Sequence, residues 1–310
     1  MGDKGVDLSV ELCGLKLKNP LILASGILGT TAGLLKRVER EGAGAVTTKT
    51  VTKERRDGYP NPVIVVLEHG LINAMGLPNP GIEHFVDEIR RAKSILTVPL
   101  IVSIAGSTPD EFQYIAEAVR NTGADAIELN LSCPHVSKVG MDVGSDPDLV
   151  YEIVKEVRRV VDIPILAKLS AMVPNIVEIG RAAIEAGASG LVAINTIRAM
   201  AIDVYARRPI LSNLFGGLSG PAIRPIAVRC VYELYEELKA PIIGVGGVLS
   251  WRDALEFILA GATAVGIGTA IAIRGLKVFK EIEEGLTRYM IEEGFSKIRE
   301  LIGLAHENPV

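Results

Sequence analysis

Cys133 stands near the end of the stretch Ala126-Ile127-Glu128-Leu129-Asn130-Leu131-Ser132-Cys133-Pro134, in which an apolar run gives way to an amide, a hydroxyl, a thiol and a proline. Proline has no N–H to offer a strand ladder, so Pro134 marks the point where a buried strand opens into a loop. A cysteine used for packing belongs inside the apolar run. One delivered past its polar end is placed for chemistry, with the thiolate as the reactive form. Two lysines sit at the ends of other apolar runs, Lys49 and Lys168. A desolvated ammonium is costly unless it meets an anion or a carbonyl. Each therefore marks a ligand position, unless it snorkels to water or pairs with Asp or Glu. Gly244-Val245-Gly246-Gly247 and Gly266-Ile267-Gly268-Thr269 bring backbone N–H groups within reach of an anion at two helix starts, the chemistry of a phosphate site.

These residues need elements to converge them. The phrase Gly-Ala recurs at Gly42-Ala43, Gly123-Ala124, Gly187-Ala188 and Gly261-Ala262, each time after an amphipathic segment and before a short apolar run. A glycine there ends a helix in the left-handed conformation, and repetition of helix, Gly-Ala and strand predicts successive βα units on a parallel sheet. Eight strands are predicted, at 21–24, 45–49, 100–104, 126–130, 163–168, 190–195, 242–245 and 264–267, with helices between them, among them 110–121, 147–161 and 251–259. The fold expected is an α/β (β/α)8 barrel, one domain over 1–310, rather than an open doubly wound sheet. A hairpin at 9–18 caps the barrel floor, and insertions follow strands 2, 4 and 6, the long Gly/Pro-rich ones being 51–80 and 196–221.

In such a barrel the strand C-termini share one mouth. Ser25, Lys49, Thr50, Ser103, Asn130, Cys133, Lys168, Asn195, Thr196, Gly246, Gly247, Gly268 and Thr269 are all expected there. Asn73-Ala74-Met75-Gly76-Leu77-Pro78, in the first insertion, either folds over a ligand or merely turns. Asn73, Asn130 and Asn195 supply donors and acceptors together, which suits a planar ligand with alternating C=O and N–H edges. A pyrimidine acid, its carboxylate on a lysine, has that shape.

Composition narrows the classes. Of 310 residues 48% are hydrophobic but only 5% aromatic, so Val, Ile, Leu and Ala build the core, as a buried parallel sheet requires. The net charge of −4 and the lack of a long basic run give nucleic acid nothing to bind. Cys13, Cys133 and Cys230 are odd in number and far apart, and His69, His84, His135 and His306 lack ligand spacing, so neither a disulfide framework nor a metal site is expected. A charged N-terminus and the lack of any apolar stretch of about 20 residues predict a soluble cytoplasmic protein.

The ordered motifs Lys49-Thr50, Asn73-Ala74-Met75-Gly76-Leu77, Asn130-Leu131-Ser132-Cys133-Pro134, Lys168, Asn195-Thr196, Gly246-Gly247 and Gly268-Thr269 resemble the class 1 dihydroorotate dehydrogenases, over 8–289, and most closely the class 1B catalytic subunit. The resemblance implies FMN across the barrel mouth. Gly246, Gly247, Gly268 and Thr269, with Gly220 nearby, would take its phosphate; Ser25, Thr50, Ile194 and Lys168 would hold the ribityl chain and ring, with Lys49, Ser103 and Asn130 also at the cofactor. It implies dihydroorotate on Lys49, Asn73, Ala74, Met75, Gly76, Leu77, Asn130, Asn195 and Thr196, with Cys133 as base. It also implies NAD as acceptor, reached through a partner subunit carrying FAD and a [2Fe-2S] cluster, around a homodimeric catalytic core. Ser103 departs from the family's usual Asn, which predicts a shorter or water-mediated flavin contact there, and the loop 135–140 departs from the usual paired glycines.

Other readings stay open on sequence. A fumarate-linked enzyme of class 1A type or a flavin-dependent dihydropyrimidine dehydrogenase would share most of these residues. A Schiff-base aldolase would use Lys49 or Lys168 as nucleophile, leaving Cys133 and the asparagines without a task. A non-catalytic barrel would hold no tight small-molecule cofactor.

Overall fold

Short runs rich in Val, Ile and Leu, too brief for helices, form parallel strands buried on both faces. In the computed structural model, which describes residues 5–131 and 143–307, eight of them close into a barrel. They are β1 (Leu21–Leu23), β2 (Ala45–Thr47), β3 (Leu100–Ile104), β4 (Ala126–Asn130), β5 (Ile165–Leu169), β6 (Gly190–Ala193), β7 (Ile242–Val245) and β8 (Ala264–Ile267). Neighbours in sequence pair in parallel all the way round, with β8 returning to β1.

Helices fill the intervals: α1 (Ala32–Arg40), α2 (Ile82–Ile95), α3 (Pro109–Arg120), α4 (Pro147–Val160), α5 (Ile176–Glu185), α6 (Arg224–Leu238), α7 (Trp251–Leu259), then α8 (Thr269–Arg274) and α9 (Val278–Glu293). Their starts follow capping chemistry. Thr108 and Asp146 accept backbone N–H groups of α3 and α4, and each is followed by proline at the first helical position. Ser250 and Asp253 form a reciprocal capping box on α7. Gly42, Gly123, Gly187 and Gly261 all have positive φ, 85° to 113°, as the recurring Gly-Ala phrase predicted.

The helices press a dry layer of aliphatic and a few aromatic side chains onto the barrel. Phe112 of α3 is fully buried in it. Its replacement by Ala is expected to cost about 3–5 kcal/mol through lost transfer energy and a residual cavity. Denaturant unfolding reads this out, and a midpoint equal to wild type would mean that the cavity collapses.

The floor hairpin pairs Val10–Leu12 with Leu15–Leu17. Cys13 donates its thiol to the Ser189 carbonyl at 3.1 Å, just below the start of β6. The two long insertions are not the loops expected of them. Residues Ile197–Ala199, Gly216–Ser219, Gly70–Asn73 and Ile64–Leu67 pair in that order as one antiparallel sheet at the mouth. Each strand has three or four residues, and the central pairing, Gly70–Asn73 with Gly216–Ser219, joins the two insertions, so no local period announces the sheet. The insertion expected after β4 falls largely at 132–142, outside the described residues.

Candidate active site

Lys49 leaves the ladder as soon as β2 ends. Thr48 still donates to the Ile101 carbonyl, whereas the Lys49 N–H turns to the Gly29 carbonyl at 2.8 Å. A Cβ on Gly29 would lie 2.3 Å from that nitrogen, so only glycine allows the approach. The Lys49 side chain is half-buried at the mouth, and burial, then the charge of Lys168, push its pKa below that of an ordinary lysine. Its ammonium has no partner among the described residues.

Lys168 lies inside β5 rather than at its end, opposite Asn130 in the register. It is 5% exposed and donates to the Ser25 hydroxyl at 2.7 Å, just past β1. Its Nζ is also 3.7 Å from Oε1 of Glu128. Glu128 is 3% exposed, stands opposite Ser103 in the β3–β4 register, and accepts the Ser103 hydroxyl at 2.8 Å.

From Glu128 a chain of hydrogen bonds runs out across the mouth. Ser103, wholly buried, lies 2.9 Å from the Thr50 hydroxyl; Asn130 Nδ2 donates to Thr50 at 3.4 Å; Asn195 Nδ2 donates to Asn130 Oδ1 at 3.2 Å; and the Thr196 N–H donates to Asn195 Oδ1 at 2.7 Å. A hydroxyl has one proton to give. Because Ser103 gives its own to Glu128, Thr50 must be the donor between the two, and every link points the same way, toward the carboxylate.

The cover sheet joins the same web. Asn73 donates to the Gly217 carbonyl at 3.2 Å, and a Cβ on Gly217 would lie 2.1 Å from the Thr196 hydroxyl, so Asn73 and Thr196 flank one backbone. The following loop is fastened by Ala74 N–H to Val63 and Tyr59 N–H to Met75, while Gly76 and Leu77 take positive φ of 74° and 53°.

Gly220, Gly246, Gly247, Gly268 and Thr269 come from three separate segments. A Cβ on Gly247 would lie 2.6 Å from the Gly220 carbonyl oxygen, and the Thr269 hydroxyl donates to Ser219 at 2.8 Å. The N–H groups of Gly247, Gly268 and Thr269 find no acceptor among the described residues. A Cβ on Gly268 would meet nothing closer than 3.7 Å, so the space above it is open. Ile194 is buried beside this cradle, its N–H held by the Val245 carbonyl at 2.8 Å. Unsatisfied amides around open space, with a buried lysine across the mouth, fit a phosphorylated ligand with an electron-rich ring.

The dihydroorotate dehydrogenase sequence profile matches residues 7–290. The chain belongs to the dihydroorotate dehydrogenase family. Dihydroorotate dehydrogenase B (NAD(+)) catalytic subunits are similar along almost their full length: that of Pyrococcus abyssi is 57% identical, covering 96% of this chain and 99% of its own, and that of Methanocaldococcus jannaschii 46% identical, covering 97% and 98%. A crystal structure of DHODH from Eimeria tenella in complex with ferulenol matches with a TM-score of 0.84, covering 97% of this chain and 89% of that one at 23% identity, a likeness of fold. As a dihydroorotate dehydrogenase the chain is an oxidoreductase of pyrimidine biosynthesis. Among the described residues no helix is long and apolar enough to cross a membrane, and no group of acidic, His or Cys side chains could hold a metal ion.

Every expected site residue from Ser25 to Thr269 that lies within the described range is gathered at this mouth or in its cover; Cys133 lies outside the described residues. The other two cysteines are poor thiolates. Burial pushes Cys13 up to about 11 and raises Cys230 as well. Glu128 was missed, although a carboxylate inside the run Ala126-Ile127-Glu128-Leu129-Asn130, two residues before Asn130 and so on the same strand face, was the available signal.

Proposed function

We propose that this chain oxidises dihydroorotate to orotate with FMN bound at the barrel mouth, Cys133 acting as base. The observation that carries the proposal is the convergence, on a family-matched barrel, of an amide cradle with one buried lysine and one that has no partner among the described residues. Gly246, Gly247, Gly268, Thr269 and Gly220 would hold the FMN phosphate; Ser25, Thr50, Ile194 and Lys168 the ribityl chain and ring. Ser103, being fully buried, would act on the cofactor through Thr50. Bound FMN supplies a hydride acceptor, the one chemistry that no side chain here can provide.

The protein's own residues do the rest. Lys49 would take the substrate carboxylate, and Asn73, Asn130, Asn195 and Thr196 the ring edges. Ala74, Met75, Gly76 and Leu77 would close over them and exclude water. Cys133, three residues beyond the end of β4, would remove the C5 proton as hydride leaves C6.

The relatives are named NAD(+)-linked catalytic subunits, which supports a partner subunit that passes electrons to NAD rather than fumarate use; that partner would carry FAD and a [2Fe-2S] cluster. Copurification of a cysteine-rich flavoprotein checks this. The activity itself is tested on the purified chain. A yellow protein bleached anaerobically by dihydroorotate, and not by dihydrouracil, is expected. A colourless protein trapped by borohydride with a carbonyl substrate would establish the aldolase instead.

A further inference from the structure

Glu128 has no place in the proposed chemistry, yet it occupies the costliest position in the barrel. A carboxylate 3% exposed, in the middle of β4, must be paired or lose its charge. Stability does not explain it, because a buried ion pair seldom holds two strands together better than an apolar pair of the same volume. Its geometry is also peculiar. The short hydrogen bond of Lys168 goes to Ser25 at 2.7 Å, while Glu128 stands off at 3.7 Å, its own short bond coming from Ser103 at 2.8 Å. The lysine is thus offset electrostatically without having its remaining donors consumed.

We propose that Glu128 is a positioning residue that tunes the flavin reduction potential, holding it down by offsetting the Lys168 charge while anchoring the hydrogen-bond chain through Ser103, Thr50, Asn130 and Asn195. The inference rests on FMN occupying the mouth as proposed above. Lys168 alone would stabilise the negative charge that the flavin gains on reduction and retain the electrons. A fixed anion behind the lysine weakens that hold, so that electrons pass on. The field of Lys168 already reaches across the mouth, since it contributes to the lowered pKa of Lys49.

Glu128→Gln separates charge from shape. The amide oxygen still accepts from Ser103, so the direction of the chain survives, and only the charge is lost. Measured against reference dyes on the FMN-loaded protein, the variant should hold reduced over oxidised FMN at least tenfold more tightly than wild type, a rise of ~30 mV for a two-electron couple. Glu128→Asp retreats by one methylene and should shift the potential the same way by a smaller amount, which carries the test should the Gln variant fail to fold. An unchanged or lowered potential in whichever variant folds and binds FMN overturns the inference. Wild-type protein that takes up no FMN would instead overturn the cofactor assignment itself.

Discussion

Replacing Cys133 with Ala leaves a folded, yellow protein whose flavin dihydroorotate scarcely reduces. The FMN contacts proposed above involve the glycine turns, Lys168, Thr50, Ser25 and Ile194, all of which the variant keeps. In the proposed mechanism, what is lost is the acceptor for the C5 proton. A positioned general base is worth ~10²–10⁴ in rate, and anaerobic stopped-flow bleaching should fall by that factor. Neither remaining cysteine can take over, because burial holds both thiols above the ordinary range. A second signature accompanies the loss. A free thiol ionises near pH ~8.5, so the wild-type rate climbs with pH as thiolate forms, and the Ala variant loses that climb. Bleaching within a few-fold of wild type would remove Cys133 from the role.

Lys49→Ala should raise KM for dihydroorotate by about 10- to 100-fold, the ~1.5–3 kcal/mol of a charge-assisted hydrogen bond, with far less effect on FMN binding. The pH dependence has a definite sign. Burial and Lys168 lower the Lys49 pKa, so its charge, and the carboxylate contact with it, is lost at a lower pH than for an ordinary lysine. In wild type kcat/KM therefore rises with the thiol and falls again as Lys49 deprotonates, and the Ala variant keeps the rise without the fall. Stability moves the opposite way. The unfolded chain binds the Lys49 proton more readily than the folded one, so this residue costs stability at neutral pH and ceases to do so as pH rises toward the unperturbed 10.5. The ligand-free Ala variant should melt higher than wild type at pH 7, with the gap closing at alkaline pH. An unchanged KM would count against the carboxylate contact, and an unchanged melting temperature against the cost of burying the ammonium.

The legible part of this protein was what neighbouring residues decide among themselves. All eight barrel strands stood out, because an aliphatic run such as Leu100-Ile101-Val102 after Pro99 or Leu191-Val192 after Gly190 admits little else, and the Gly-Ala phrase marks where four of the preceding helices must stop. The ends were harder. Ala45–Thr47 was read through to Lys49, although Lys49 has already turned to Gly29. That preference depends on a glycine from another segment, whose missing side chain admits the amide.

The sequence by itself determined the strand order, the polar residues brought to the mouth and the family to which the chain belongs, since spacing and residue type carry all three. Tertiary structure alone decided how those residues are wired. The cover sheet joins strands from two distant insertions, Gly220 meets Gly247 across a break of separate segments, and Glu128 becomes the end of a hydrogen-bond chain through β3 and β4. The physical reason is common to them. A backbone pairing of three or four residues, or the direction of a hydroxyl, has almost no local preference and is settled only when the closed barrel removes every partner but one.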